Sequence, residues 1–458
     1  MFSMANTKEA TLGNDSITWN RENIEQISGK TVLVIGASGK DRRFVWKTFQ
    51  DLNIKVVLVD PKENKHLRDI VAVLIKYNYL ENSILADESH GDAIIKLLGP
   101  TVNQLSACFT FDEYCIHLTS IVCQKLGFVG VKPDVALMVQ SKQLTYDALR
   151  KKSRDFNTNQ YSPLSFQIKN VSDISNTKGL SFPAILKPEY GNFSEGVSKV
   201  YSIDDCVSKF KMLQCTFEKN WDGGGFGSSM VLMEFLPGIV HHIDVIIFKG
   251  VLLKALVTDM GPKLPYGFSD TTTCFPTCLP DKVVAEIIQA SFDCCRKVGL
   301  DNGVFNVEMI VTSNGLKMIE INCRPGSYRR CVVFRTTDSI DLFVTLALIA
   351  AGIKPEFPKT SNVYAVGCYL YSFAHSRQLQ DKTVLQRIEE LKNRKEILYI
   401  ERSDICKVDE MFPKCFAHLV AFDKTNGNLA KQKLINICKE LALYTNDYNL
   451  EQLTRYFY

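Results

Sequence analysis

The stretch FNVEMIVTSNGLKMIEINCRPG, from Phe305 to Gly326, holds two carboxylates inside apolar runs. Glu308 and Glu320 stand where core side chains belong, and Asn322 and Arg324 follow Glu320 at alternate positions. Ser313-Asn314-Gly315 reads as a hairpin turn, folding FNVEMIV against LKMIEIN so that both acids can share one face. Two neighbouring buried acids repel, and both stay charged only beside a compensating cation. Oxygen donors from Glu308, Glu320 and Asn322 suit magnesium, whose sites usually combine carboxylates with the phosphates of a nucleotide. Arg324, on the same face by strand alternation, would point at those phosphates or at a developing oxyanion. A structural ion pair between Glu320 and Arg324 is the simpler reading, but it leaves Asn322 and the second acid unexplained.

Two other segments have weaker signals. Lys187 follows the apolar run FPAIL, and a loop with Gly191, Ser194 and Gly196 comes next. Such loops can offer backbone N–H groups to phosphate oxygens beside a lysine charge, although a hairpin with a snorkelling lysine reads equally well. In MEFLPG, Glu234 and Leu236 precede a bend at Pro237-Gly238, where backbone groups become free to pair with an adenine edge. Taken alone, that segment is an ordinary turn.

The elements that would position these residues are legible in outline. KTVLVIGASGKDRRFVWKTFQDLNIKVVLVD reads as strand, turn, helix and strand, one βαβ unit. With the later apolar segments SILAD, SACFTFDEY and LGFVG it implies an open α/β domain with a largely parallel sheet. A dinucleotide fingerprint fails there: Gly36 and Asp60 fit, but Ser38 and Asp41 occupy the second and third glycine positions. After a polar, basic linker (133–178), strands and helices alternate through MVLMEFLPG, HHIDVIIFKGVLLKALVTDM and DKVVAEIIQASFDCCRKVG, and strand–helix units close the chain.

Composition excludes several classes. The 458 residues, 46% hydrophobic and 23% charged, suit a globular protein of two to four domains. Fifty-four basic against 50 acidic residues give only +4, too little to argue for nucleic acid or an anionic membrane. No apolar run reaches the roughly 18 residues that span a bilayer, and the start, MFSMANTKEATLGNDSITWN, lacks an apolar signal core. The 15 cysteines are odd in number; CFPTC and Cys294-Cys295 match no zinc pattern, so reduced thiols in a cytoplasmic protein are expected.

The ordered set Lys142, FPAILKP with its small-residue loop, MEFLPG and E…EINCRPG resembles the ATP-grasp superfamily. It is most similar to carboxylate–amine ligases of the carnosine synthase and bacterial L-amino-acid ligase type, over about residues 30 to 360. The resemblance implies α/β and α+β parts: a Rossmann-like pre-domain (29–135), a linker helix and lid (136–235) and a catalytic subdomain (236–360); outside it, the polar start reads as a flexible leader (1–28) and the closing strand–helix units as an α+β extension packing on the catalytic subdomain (361–458). It implies that Lys142 and Lys187 bind ATP phosphates and that Glu234 and Leu236 form the adenine hinge. Glu308, Glu320 and Asn322 would be ligands of magnesium (manganese as an alternative), and Arg324 the catalytic arginine facing the γ-phosphate and the acyl intermediate. His241 stands where many relatives have a ribose-binding Glu, so it is assigned to the ATP site. Where the motif usually continues with glycine, this chain has Ser327-Tyr328-Arg329-Arg330; by strand alternation one of Arg329 and Arg330 should face the site and grip a substrate carboxylate, the other facing solvent.

The implied activity is dipeptide-like amide formation through an acyl phosphate, with ADP and phosphate released. The partners are amino-acid, carboxylate and amine small molecules, without nucleic acid or membrane, and a homodimer is allowed for. A non-catalytic ATP-binding regulator, or another ATP-grasp ligase of the purine-biosynthetic or biotin carboxylase kind, are the alternatives.

Overall fold

The computed structural model describes residues 20–36, 39, 42–80, 86–191, 194–220 (216–220 by backbone alone), 229–264, 268–358, 362–401, 415–446 and 448–458. The expected leader, most of SILAD and the WDGGGFGS loop lie outside them.

Three sheets follow one another along the chain. The first is parallel, in the order β3-β2-β1-β4, from β1 (Thr31–Ile35), β2 (Lys55–Asp60), β3 (Val73–Lys76) and β4 (Leu105–Phe109). Val32, Leu33, Val34 and Ile35 are wholly buried, as a strand covered by helices on both faces requires. The third strand comes from Val73–Lys76 and not from LGFVG: Leu126 ends a helix, and Gly127 closes it at φ +71°.

The second sheet, β5-β8-β6-β7, is antiparallel and comprises β5 (Ser165–Ile168), β6 (Ala184–Pro188), β7 (Ser198–Val200) and β8 (Met230–Glu234), with the helix Ile203–Asn220 between β7 and β8.

The third sheet has eight strands in the order β13-β12-β9-β10-β11-β14-β16-β15. They are β9 (Val240–Phe248), β10 (Val251–Met260), β11 (Thr272–Phe275), β12 (Gly303–Thr312), β13 (Gly315–Asn322), β14 (Tyr364–Tyr371), β15 (Ile397–Glu401) and β16 (Cys415–Asp423). The C-terminal strands therefore continue the same sheet by main-chain pairing, β11 with β14 and β14 with β16. Expecting an extension packed against the catalytic part missed this. Alternating VYAVGCYLYSF carries no mark of which neighbour its backbone will pair with.

The apolar segment after Asp341 is a buried helix, Leu342–Ala350, whose first amides are capped by the Asp341 carboxylate. Its Phe343 meets Phe111 edge-on (centroids 4.7 Å apart), bringing the loop after β4 against the large sheet. Burying a side chain of this size contributes roughly 1.5–3 kcal/mol, and the contact fixes where Glu113, two residues beyond Phe111, must lie.

Candidate active site

The hairpin β12–β13 does bring the acids together, by a different route from the expected turn. A three-residue turn would set Glu308 opposite Glu320 directly. The ladder instead pairs Thr312 with Gly315 across Ser313-Asn314, and Met309 with Met318. That register alone would put Ile319 opposite Glu308 and turn Glu320 to the other face. A bulge between Glu308 and Met309 inserts one residue on β13 and restores the pairing of Glu308 with Glu320 and of Asn306 with Asn322. The bulged residue, Ile319, leaves its carbonyl free for side-chain donors.

Tyr146 and Lys187 take it. The Tyr146 hydroxyl donates to the Ile319 carbonyl (2.5 Å) and accepts from Lys187 Nζ (2.9 Å), which also lies 3.5 Å from that carbonyl. Lys187 is 4% exposed. Burial pushes its pKa below the ordinary lysine value, against the pull of Glu320 and Glu308. Lys142, the first residue of the helix Lys142–Arg150, donates to Glu320 Oε1 (3.0 Å) and to the Gly191 carbonyl (3.1 Å). Two ammonium groups thus reach the paired acids from the side of the second sheet.

Arg324 lies on the same cavity. Its Nε pairs with Glu113 Oε2 at 2.8 Å, while Nη2 donates to Asn322 Oδ1 (3.3 Å) and Nη1 to the Pro325 carbonyl (3.1 Å). Burial raises the Glu113 carboxyl above its usual range, and Arg324 opposes the rise. The alternative Glu320–Arg324 pair is not among the ion pairs of the described residues; Lys142 is the partner of Glu320 and Glu113 that of Arg324.

The cavity holds about 900 Å³, and its walls include Glu113 from the loop after β4, Lys187 from the second sheet with Leu236 just past β8, and Glu308, Glu320 and Asn322 from the third with Arg324 just past β13. Ile185, Met233, Phe235 and Ile310 give one end an apolar slot. The Glu234 side chain accepts from the Leu164 amide (2.8 Å) and the Glu234 amide donates to the Leu164 carbonyl (3.0 Å), so both groups are already partnered. Two carboxylates and an amide oxygen on one wall form an all-oxygen donor set, which fits a hard divalent cation.

Two expectations are corrected. His241 does not face the cavity: its Nδ1 bonds Asp259 Oδ1 (2.7 Å), and Asp259 also accepts from the Thr277 hydroxyl (2.5 Å) and the Cys278 amide (2.6 Å). His241 thus helps secure the CFPTC turn. Alternation along β9 puts the next residue, His242, on the cavity side, opposite Glu308. His242 Nδ1 lies 3.2 Å from Asn306 Oδ1 and 3.7 Å from Glu308 Oε1, and burial, then the Arg330 charge, drives its pKa well below the ordinary value, so it is neutral.

Arg329 and Arg330 do not alternate between site and solvent. They open the helix Tyr328–Asp338, where the strand rule no longer applies, and both are buried and line the cavity.

Several site residues went unnoticed in the sequence. Tyr146 follows Lys142 by four, the spacing that places both on one helix face, so a signal existed. Glu113 sits about two hundred residues before Arg324 and carried none.

Residues 180–331 match the sequence model of the ATP-grasp domain. The chain is 27% identical over 440 residues to carnosine synthase 1 of Mus musculus, across 94% of this chain and 53% of that protein. It is 30% identical over 345 residues to carnosine synthase 1 of Gallus gallus, across 74% of this chain and 37% of that protein. The chain thus spans about half the length of the mouse relative, and less of the chicken one. Among solved structures, L-amino acid ligase from Bacillus licheniformis is similar in fold, with TM-score 0.67 and 15% identity over 90% of this chain and 97% of that one.

Proposed function

We propose that this chain, which carries an ATP-grasp domain within an ATP-grasp fold, is an ATP-dependent carboxylate–amine ligase joining small amino-acid or carboxylate and amine substrates. One observation carries the reading. A paired-carboxylate hairpin, two lysines and an arginine converge on a single cavity with an apolar slot at one end, and no nucleophile–base pair is needed to explain them.

In this reading the adenine enters the slot beside Leu236 and the Glu234 carbonyl, while Lys142 and Lys187 meet the phosphates. Glu308, Glu320 and Asn322 would hold the magnesium (or manganese) that accompanies ATP, which when bound neutralises phosphate charge. The substrate carboxylate attacks the γ-phosphorus, forming an acyl phosphate as the bond to ADP breaks. The amine then attacks the acyl carbon, loses a proton and expels phosphate. Such chemistry asks the protein for placement and charge neutralisation. Arg324, held by Glu113 and Asn322, faces the transferring group, and Arg329 and Arg330 offer cations for a substrate carboxylate. The buried free thiols suit a reducing, cytoplasmic compartment.

The test is phosphate release from Mg-ATP with pooled amino acids, with products identified by mass spectrometry. Amide products with stoichiometric ADP and phosphate support the ligase. ATP binding without turnover in any pool would favour a regulator.

A further inference from the structure

The cations at the head of the helix Tyr328–Asp338 are badly placed for stability. A helix N-terminus carries partial positive charge and disfavours cations, yet Arg329 and Arg330 occupy its first turn at 9% and 4% exposure. Other arginines near the site are matched: Arg324 by Glu113 at 2.8 Å, and Arg335 of the same helix by Asp341 at 3.2 Å. Neither Arg329 nor Arg330 has a carboxylate within ion-pair distance among the described residues.

Arg330 is offset in part. The buried Asp244 and the half-buried Asp270 interact with it electrostatically, although Asp244 also accepts the Gly326 amide (2.7 Å) and Asp270 pairs with Lys263. Among the described residues Arg329 has no such balance. Its guanidinium lies 5.5 Å from the Tyr328 ring centroid and 5.3 Å from that of Tyr369, with the Tyr328 hydroxyl (3.4 Å) and Cys415 Sγ (3.5 Å) as its acceptors among the described residues. The Tyr369 ring is itself stacked on His418, 4.4 Å between centroids. A buried guanidinium without counter-charge is strongly unfavourable, and this one is held rigidly against the wall of the reaction cavity. An anion bound in the cavity would supply the counter-charge that the described residues lack. A single substrate carboxylate occupies one guanidinium fork, and two guanidinium groups without an ion-paired carboxylate among the described residues are present.

We propose that Arg329, between Tyr328 and Tyr369, is a subsite for an acidic side chain of the substrate, so that a dicarboxylic amino acid of the L-aspartate or L-glutamate class is one of the molecules joined. This rests on the ligase reading and narrows it. The C-terminal strands β14 and β16, which supply Tyr369 and Cys415, become part of substrate selection.

Calorimetric binding of L-aspartate, L-glutamate, L-asparagine and L-glutamine, in the presence of magnesium and a non-hydrolysable ATP analogue, tests the subsite apart from turnover. At least one acid should bind about tenfold or more tighter than its amide, the scale of a charge-assisted bidentate pair. R329Q should erase that preference and R329K should keep part of it. Equal affinity for acids and amides in the unaltered protein, or no binding of either acid, overturns the subsite, and that arm needs no variant to fold. The ligase reading fails separately, if no amino-acid pool elicits phosphate release.

Discussion

Removing one oxygen atom, by Tyr146→Phe, probes how the second sheet is fixed to the third. The hydroxyl gives one neutral bond to the Ile319 carbonyl and receives one from the Lys187 ammonium; Tyr146 and Lys187 are buried and Ile319 half-buried. A neutral hydrogen bond contributes about 0.5–1.5 kcal/mol net and one to a charged group about 1.5–3, so the variant should lose about 3 kcal/mol of ligand-free stability. Lys187 keeps only the longer contact to Ile319. Chemical denaturation followed by fluorescence reads the loss as a lower midpoint. A double-mutant cycle with Lys187→Met should give a coupling of about 1.5–3 kcal/mol, because each single change removes the same bond. Since the ammonium remains in Tyr146→Phe, bound ATP should recover much of the deficit by re-partnering it. An unchanged midpoint, or additive effects in the cycle, would refute the bridge.

Glu320→Gln, which removes one donor charge while keeping shape, should cut phosphate release by at least about a hundredfold, the scale of a key electrostatic group; near-normal turnover removes the metal assignment. The depressed Lys187 pKa sets a pH dependence: nucleotide affinity, which needs the ammonium, should fall as alkaline pH passes that pKa, below the free-lysine value. Over the same window the ligand-free fold gains stability, because the unfolded lysine holds its proton longer. Fluorescent-nucleotide binding and unfolding, each measured against pH, check the two signs, and Lys187→Arg should abolish the affinity drop. His241→Gln should lower thermal stability through Asp259 while leaving the apparent KM for ATP within about twofold, since the imidazole faces away from the cavity; a large KM change would return His241 to the nucleotide.

Much of this site was legible because its chemistry violates local pattern: acids inside apolar strands and an amide and a guanidinium at period two announce themselves. The open α/β first domain followed from the βαβ unit, and the α+β parts from the resemblance carried by the ordered motifs. What escaped depends on geometry that composition does not carry. The bulge at Ile319 shifts a register by one residue, and register decides which face Glu320 occupies. His241 and His242 are adjacent and chemically identical, so only the pairing of β9 selects the one that meets Glu308. The Arg329–Arg330 error had a cause of another kind. The strand period was carried past Gly326, into residues that begin a helix after Ser327. Glu113 reaches Arg324 through the Phe111–Phe343 contact, a long-range packing event with no local signature.

The central claim is that a substrate carboxylate takes the γ-phosphoryl group of ATP before the amine displaces it. Once an amino-acid pair supports turnover, the carboxylate substrate is supplied with both oxygens labelled with oxygen-18, and the released phosphate is read by mass spectrometry. An acyl phosphate predicts one labelled oxygen in each phosphate and one ADP per amide bond. Unlabelled phosphate, or AMP and pyrophosphate as products, would contradict the mechanism.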